Sequence, residues 1–135
     1  MNKKNIWEDY KFPLEKHSDE RGTIVDIFYK HNIEHIAVIE SYKGSIRGNH
    51  YHKFTTQHML ITQGSLEYWF KPLNSKEKAK FVVLEKGDFV STPPNEVHAL
   101  RILEDNEFIV FTEGLRGGKD YEQDTFRLSE SIIHE

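Results

Sequence analysis

Two histidines separated by one residue are the side chains of this sequence best suited to chemistry. His50 and His52 flank Tyr51 in a stretch whose composition is typical of a strand. Residues two apart on a strand point to the same face, so both imidazoles project to the same side. Such a pair suits a transition metal, which takes several nitrogen donors at about 2.0–2.1 Å. The alternative is two surface histidines on a half-exposed strand.

The residues around this pair belong to two blocks of regular spacing. The first block reads G-x5-H-x-H-x4-Q-x6-G over residues 44–64, and the second reads G-x5-P-x-N-x2-H over residues 87–98. These blocks resemble the two motifs of the cupin superfamily. The resemblance implies an all-β cupin fold, a jelly-roll β-barrel or sandwich of two antiparallel sheets. It also implies a metal site whose ligands are His50, His52, Gln57 and His98.

The blocks depart from the cupin pattern at three positions. Gln57 stands where cupins usually carry Glu, so this ligand would be an uncharged amide oxygen. Three neutral imidazoles and an amide suit zinc or nickel, and iron is also compatible with imidazole. The alternative is a metal-free cupin whose histidines form hydrogen bonds inside the barrel mouth. Asn95 replaces a glycine but tolerates a left-handed backbone, and Ile102 replaces the final Asn.

Runs rich in β-branched and aromatic residues predict the strands that position these side chains. Turn signals separate the runs at intervals of about 8–12 residues, as in sandwiches and barrels. The predicted strands are Thr23–Tyr29, His35–Ser41, Thr55–Thr62, Ser65–Lys71, Lys80–Glu85, Asp88–Thr92, Val97–Leu103 and Glu107–Thr112. The stretch from Arg47 opens a further strand that carries the histidine pair. Ser129–His134 is expected to form one turn of helix.

The length of 135 residues suits one domain over residues 1–135. We expect a core over about residues 19–127, between an N-terminal arm of residues 1–18 and a C-terminal tail of residues 128–135. The arm carries Trp7, Tyr10 and Phe12. Because a cupin barrel leaves sheet edges that need covering, we expect a homodimer in which this aromatic arm supplies a swapped strand.

Composition excludes several classes of partner. The formal net charge is −4 and no stripe of Lys or Arg is present, so nucleic-acid binding is not expected. The longest apolar runs are only a few residues long, so no membrane span is predicted. No apolar segment follows the basic N-terminus, so we predict no signal peptide and a cytoplasmic protein. The absence of Cys rules out disulfides and thiolate chemistry.

Two further segments narrow the resemblance within the cupins. Asp19-Glu20-Arg21-Gly22-Thr23 opens the first strand, and Arg47-Gly48-Asn49-His50-Tyr51-His52-Lys53 opens the motif strand. The pairing resembles sugar-nucleotide cupins, which include dTDP-4-dehydrorhamnose 3,5-epimerases and dTDP-sugar 3,4-ketoisomerases. It is most similar to the cupin domain of capsular-polysaccharide UDP-sugar reductase–epimerases, which carries R-G-N-H-x-H and a bound zinc. Residues 121–126 are also similar to the closing strand of that group.

The resemblance implies an isomerase or epimerase of a nucleotide-linked 4-keto-6-deoxy sugar in surface-polysaccharide biosynthesis. The ketone at C4 acidifies the protons on C3 and C5, so a base removes one and an enolate forms. Return of the proton to the other face gives epimerisation, and a shift of the carbonyl gives isomerisation. This chemistry needs a base with a pKa near neutral, a group that holds the enolate oxygen, and a proton donor.

Three cations are candidates for binding such a substrate. Arg21 and Arg47 suit the diphosphate or the sugar, because a guanidinium binds phosphate oxygens in pairs. Lys53 is a weaker candidate, since a lysine at a strand end is commonly solvated. The alternative for both arginines is an ion pair with an acidic neighbour such as Glu20 or Glu40.

The proton-transfer groups are less well defined. His50 is either a metal ligand or the catalytic base, because a coordinated lone pair is not available to take a proton. Tyr68 ranks first as the proton donor, since its strand is expected to line the barrel, and the other tyrosines considered are Tyr42, Tyr51 and Tyr121. His58 directly follows Gln57, so we expect it to face out of the barrel and to pack there.

Three other interpretations of the sequence stay open. A 3,4-ketoisomerase would act on the same substrates, although those enzymes carry a tyrosine on the strand before the motif, where His35–Ile39 has none. A metal-dependent cupin oxygenase would hold iron on the same histidines and oxidise a small substrate with O2. A non-catalytic sugar-binding cupin would keep the pocket without a base or a metal.

Overall fold

The computed structural model describes residues 1–9, 15–114 and 118–134, and these are folded mainly as strands. The strands are β1 Asn2–Asn5, β2 Lys16–Asp19, β3 Gly22–Val25, β4 His35–Ser41, β5 Ile46–Tyr51, β6 Thr56–Gln63, β7 Leu66–Pro72, β8 Lys80–Leu84, β9 Asp88–Thr92, β10 Glu96–Ile102, β11 Asn106–Glu113 and β12 Phe126–Arg127. A short helix, α1, spans Gly118–Gln123. Within the described residues, no helix has the length and apolarity needed to cross a membrane.

Two five-stranded antiparallel sheets contain most of these strands. The first sheet has the order β1-β9-β6-β11-β4 and the second has the order β12-β5-β10-β7-β8, while β2 and β3 form a separate hairpin. The inner faces of the two sheets meet around a buried apolar cluster that includes Tyr68, Leu84 and Phe108. This arrangement confirms the predicted all-β fold of two antiparallel sheets.

The alternation of side chains explains why these runs form strands. In β11 the burial alternates at every residue, and Phe108 and Val110 point into the core. The strands over His35–Ser41 and Asp88–Thr92 have the bounds that the sequence predicts. The motif strand forms β5, so the histidine pair lies at the end of a strand inside the second sheet.

The N-terminal residues belong to the chain's own first sheet. β1 pairs with β9 in antiparallel register, and Ile6 is buried beside Phe89. In the single chain the core therefore begins well before residue 19, where the sequence placed it. Tyr10 and Phe12 of the expected arm lie outside the described residues.

The C-terminal tail packs against the second sheet in an irregular conformation. Ile132 is buried beside Trp69. The side-chain amide of Asn49 donates to the Glu130 carbonyl at 3.1 Å and accepts from the Ile132 N–H at 3.0 Å. In a helix these backbone groups would instead form hydrogen bonds with other backbone groups of the same helix. The predicted helical turn over Ser129–His134 is therefore wrong.

Candidate metal centre and cavity

Three buried histidines of the second sheet lie side by side. His50 is near the end of β5, His52 follows that strand, and His98 lies on β10 directly opposite His50. The centroids of the three rings are 4.7, 4.9 and 5.5 Å apart in pairs. One nitrogen of each ring lies within 4.8 Å of those of the other two. The structure thus brings together the three imidazoles of the predicted ligand set.

Two of these rings are held in the tautomer that a metal ligand needs. Nδ1 of His52 lies 2.6 Å from the backbone oxygen of Asp124, and Nδ1 of His98 lies 3.2 Å from that of Glu96. A carbonyl oxygen only accepts, so Nδ1 carries the hydrogen in both rings. Nε2 then keeps its lone pair, and the carbonyl acts as the outer partner that orients the ring.

The environment of His98 keeps its imidazole neutral. Burial is the main cause that lowers the pKa of His98 to about 4, and the neighbouring His52 acts in the same direction. The hydrogen bond to the Glu96 carbonyl opposes this effect without cancelling it. A neutral, preoriented imidazole is the form that binds zinc or nickel, so the donor chemistry of this cluster fits a divalent transition metal.

The close approach of β5 to β10 depends on a glycine and an asparagine. Gly48 has φ of +80°, and a Cβ at this position would lie 3.0 Å from the backbone oxygen of His98. Any side chain here would push β5, and with it His50, away from β10. Asn95 has φ of 64° and donates its backbone N–H to the His52 carbonyl at 2.7 Å. This confirms the left-handed backbone predicted for Asn95.

Asp124 is a site residue that the sequence analysis missed. Its carboxylate is 1% exposed and accepts hydrogen bonds of 2.7–3.0 Å from the backbone N–H groups of Lys53, Phe54 and Thr55 and from the Thr55 hydroxyl. Burial raises the pKa of the Asp124 carboxyl, but these hydrogen bonds outweigh it and hold the pKa below its usual value. The only signal for this role was its place in the segment over residues 121–126 that resembles a closing strand.

The histidine cluster opens into a cavity between the two sheets. The cavity has a volume of about 150 Å³ and opens to solvent. Its walls combine apolar side chains, such as Met59 and Leu100, with convergent polar groups. The polar side chains that line it are Arg47, His50, Gln57, Tyr68, Thr92, His98 and Tyr121. Gln57, the expected fourth ligand, reaches this cavity from β6 of the opposite sheet.

Arg47 brings a positive charge to the cavity wall. Its Nε donates to the Ser41 hydroxyl at 2.6 Å and a terminal nitrogen donates to the Glu40 backbone oxygen at 3.0 Å. Glu40 therefore contributes its carbonyl and not its carboxylate, so the ion pair considered for Arg47 does not form with this residue. Both contacts orient the guanidinium and leave its charge for an anionic ligand.

Two tyrosines line the cavity in different ways. Tyr68 is fully buried, and its hydroxyl bonds with the Thr92 hydroxyl and donates to the Glu96 carboxylate at 3.2 Å. Burial and the nearby Glu96 charge raise the pKa of Tyr68 well above 10. The ring of Tyr121 lies 6.3 Å from that of His50 between centroids, at the histidine end of the cavity.

Two of the expected substrate-binding cations are not brought to the cavity. Arg21 lies in the β2–β3 hairpin, where its guanidinium pairs with the Asp19 carboxylate at 2.7 Å. The Lys53 amine lies over the Phe126 ring at 4.5 Å from its centroid. In this chain neither side chain lines the cavity. The Asp19 carboxylate, two residues away, pairs with Arg21, and the Lys53 side chain points away from the cavity toward Phe126.

The sequence also matches known proteins. A profile of the family described as "Polysaccharide biosynthesis C-terminal domain" matches residues 17–126. A UDP-2-acetamido-2,6-beta-L-arabino-hexul-4-ose reductase from Pseudomonas aeruginosa is 24% identical over 106 residues, which cover 76% of this chain and 28% of that protein. The chain spans about a quarter of the length of the curated relatives it matches.

Solved structures with the same fold come from the groups that the motifs resemble. A dTDP-4-dehydrorhamnose 3,5-epimerase from Sulfolobus tokodaii superposes with a TM-score of 0.71 at 20% identity, over 89% of this chain and 76% of that one. A sugar 3,4-ketoisomerase from Thermoanaerobacterium thermosaccharolyticum, in complex with TDP, gives 0.69 at 19% identity, over 86% and 85% of the two chains. These likenesses confirm the cupin-like fold that the resemblance of the two blocks implies.

Replacement of Asp124 by Asn is expected to destabilise the turn after β5. Asn keeps the size of the side chain but loses the charge, and its NH2 group faces N–H donors. We expect Asp124→Asn to lower the free energy of unfolding by about 2–3 kcal/mol, as for lost hydrogen bonds to a buried charged group. Urea denaturation followed by tryptophan fluorescence measures this change. Asp120→Asn, an exposed position on α1, is the matched control, and an equal loss in both variants would contradict the role of Asp124.

Proposed function

This chain belongs to the polysaccharide biosynthesis C-terminal domain family, and we propose that it is an isomerase or epimerase of a nucleotide-linked 4-keto-6-deoxy sugar in surface-polysaccharide biosynthesis. The observation that carries this proposal is the cavity itself. It combines a cluster of three buried histidines with Arg47, whose guanidinium bonds only to neutral oxygens among the described residues. Such a site offers both a centre for carbonyl chemistry and a cation for a phosphate.

The names of the relatives support a nucleotide sugar as the substrate class. The Pseudomonas relative is named as a reductase of a UDP-linked hexulose, and the solved ketoisomerase holds TDP. A 4-keto hexose is common to the chemistry of both groups that the motifs resemble. The cytoplasmic location expected from the sequence stays a prediction within this proposal.

A divalent metal, zinc or nickel, belongs to the same proposal. His50, His52 and His98 would hold it, with the amide oxygen of Gln57 as the fourth ligand from the facing sheet. When bound, such an ion supplies a Lewis acid that favours negative charge on a carbonyl oxygen. The support is the tautomer of two of the rings, the neutral state of His98 and the convergence of the three nitrogens.

Proton transfer then falls to a side chain outside the ligand set. With its lone pair coordinated, His50 is no longer available as the base. Of the remaining lining groups, Tyr121 lies beside the histidines, whereas the Tyr68 hydroxyl is engaged by Thr92 and Glu96. We assign to the Tyr121 hydroxyl the return of a proton to C3 or C5 of the enolate. The role of proton donor expected for Tyr68 stays a prediction. In the structure its hydroxyl donates to the Glu96 carboxylate.

Arg47 would bind the diphosphate of the substrate. Its charge lies at the cavity wall, and its contacts with Ser41 and Glu40 fix the guanidinium without neutralising it. Pairs of charge-assisted hydrogen bonds from arginine are the usual protein contact to phosphate oxygens. Arg21 and Lys53, which lie outside the cavity of this chain, are not part of this proposal.

Solvent exchange into the substrate tests the proposed reaction. UDP-linked and dTDP-linked 4-keto-6-deoxyhexoses are incubated with the protein in D2O and followed by NMR. We expect deuterium to enter at C3 or C5. The rate of incorporation should fall about 100-fold or more in Tyr121→Phe, the usual contribution of a general acid–base group, and by less in Tyr68→Phe. A shift of the carbonyl to C3 would identify a ketoisomerase. Binding without exchange would contradict catalysis and leave a sugar-binding cupin.

Elemental analysis of the same preparations tests the metal. We expect zinc or nickel, with a fall of one equivalent in His98→Ala. Stoichiometric iron would favour the oxygenase interpretation. Full exchange activity without any metal would return His50 to the role of base and contradict the ligand set.

Substitution of Arg47 tests its role toward the diphosphate. Arg47→Gln keeps hydrogen-bonding capacity but removes the charge, so we expect the Kd for UDP or dTDP in calorimetry to rise about 10- to 100-fold, which corresponds to one or two charged hydrogen bonds. Arg21→Gln is the matched control, because Arg21 pairs with Asp19 away from the cavity. Equal losses in the two variants would contradict the assignment of Arg47.

We also propose that the protein forms a homodimer through the outer face of β4. This strand is at the edge of the first sheet. Its outward residues Ile36 and Val38 are 60% and 63% exposed, and Val38 is paired with Ile109 on β11. An exposed apolar sheet face of this kind is typical of an interface between chains.

A single charge on this face tests the dimer. We expect wild-type protein to sediment as a dimer and Val38→Asp as a monomer, because an aspartate buried in the interface would lose its hydration. Ile24→Asp is the matched control, since Ile24 is similarly exposed at 62% but lies in the β2–β3 hairpin. A Val38→Asp variant that remains dimeric would show that the chains associate elsewhere, for example through the N-terminal strand.

A further inference from the structure

A second group of side chains with ligand atoms for a metal lies on the outer face of the first sheet, away from the cavity. It consists of His31, His58 and Glu113, whose ligand atoms all lie within 4.8 Å of one another. Gln57 and Met59 on β6 point into the cavity, so His58 between them points to the opposite side of the sheet. The function proposed for the cavity makes no use of these three residues.

Strand pairing places two of the three side chains together. His58 is paired with Phe111 on β11, and Glu113 lies two residues further along that strand, on the same face. On its other side His58 is paired with Ser91 on β9. These positions are set by the register of three adjacent strands in the middle of the sheet.

The connection between β3 and β4 brings the third side chain. Phe28 packs against His58 and Phe111, with centroids 5.1 Å apart in each case, and so anchors this segment on the sheet. The backbone N–H of Glu34 donates to the Thr112 carbonyl at 2.9 Å and fixes its far end. His31 lies between these two anchors and faces the Glu113 carboxylate.

The three side chains converge on one carboxylate oxygen at hydrogen-bonding distances, and their ligand atoms are close enough for one ion to replace these hydrogen bonds. Nε2 of His58 is 2.6 Å and Nε2 of His31 is 3.0 Å from Oε2 of Glu113. Nδ1 of His58 lies 2.7 Å from the Ser91 hydroxyl, which gives this ring the outer hydrogen-bond partner usual for a ligand histidine. The His58 side chain is mostly buried, whereas His31 and Glu113 are partly exposed, so an ion has access from solvent.

We propose that His31, His58 and Glu113 form a second divalent-metal site, with zinc as the ion that suits it. Two imidazole nitrogens and one carboxylate oxygen are a known zinc donor set that leaves a position for water. The carboxylate supplies a negative charge that the three histidines and Gln57 of the cavity lack. The bound ion ties the segment over residues 26–34 to the outer face of the first sheet.

Zinc binding by variants of each site separates the two centres. Metal-free wild type, His98→Ala, Glu113→Gln and the double variant are titrated with zinc against a chromophoric chelator, and the bound ions are counted by native mass spectrometry. We expect two ions in the wild type, one in each single variant and none in the double variant. His17→Ala is the matched control, because His17 is an exposed histidine 3.8 Å from the Asp19 carboxylate, and it should leave both ions in place.

Cobalt gives a readout that depends on coordination and not on charge alone. Co2+ added to His98→Ala is expected to give visible d–d absorption bands, and these bands should vanish when His31→Ala is combined with it. If Glu113→Gln fails to fold, His31→Ala still tests the site, because the His31 side chain is partly exposed and its removal should not prevent folding. Zinc is also expected to slow tryptic cleavage after the exposed Lys30 in His98→Ala, and not in His98→Ala with His31→Ala.

Two results would overturn the proposal. The first is that His98→Ala binds no zinc, and the second is that its zinc content is unchanged by both Glu113→Gln and His31→Ala. Either result would leave His31, His58 and Glu113 as a hydrogen-bonded ion-pair network only. Failure of the cavity site is distinguishable from failure of this one. If only the cavity site fails, wild type and His98→Ala would hold the same single ion, and Glu113→Gln would remove it.

Discussion

The buried carboxylate of Asp124 is the contact on which the geometry of the histidine cluster depends. It accepts the backbone N–H groups of the three residues that follow His52, and the Asp124 carbonyl accepts the His52 ring N–H. One residue thus closes the turn after β5 and orients an imidazole. A buried charge is stable only with such partners, so the turn and the segment that carries Asp124 stabilise each other. Gly48 adds the second requirement, because only a residue without a Cβ lets β5 lie this close to β10.

The side chains that line the cavity determine its charge. The ligands proposed for the cavity, three imidazoles and the Gln57 amide, bring no negative charge, so they would not offset the charge of a dication, and Arg47 adds a positive charge to the wall. A cavity of this kind attracts anions more strongly than one with a glutamate at the position of Gln57. The diphosphate of a nucleotide sugar is the anion that the proposed function requires. Gln57 in place of Glu and the presence of Arg47 would therefore both favour an anion in the cavity.

Consecutive residues of β6 face two different chemical environments on the two sides of the first sheet. Gln57 faces the cavity and His58 faces the outer cluster with Ser91 and Glu113. The outer cluster includes a carboxylate and the cavity cluster does not, so the two faces should differ in their affinity for a dication. The outer cluster also joins the β3–β4 connection to the sheet. A change in its occupancy would alter the order of that connection while the inner face of the sheet keeps its packing.

Much of the fold and of the histidine cluster was determined by the sequence itself, because the governing geometry is local. Alternation along a strand predicted His35–Ser41 and Asp88–Thr92 with their observed bounds, and the same period of two placed His50 and His52 on one face. The tertiary structure decided that Arg47 and not Arg21 lines the cavity, that Asp124 secures the turn after β5, and that His58 meets Glu113. These contacts join residues far apart in the chain, 55 positions for His58 and Glu113 and 72 for His52 and Asp124. Such pairs depend on the register and order of strands, which no local periodicity encodes.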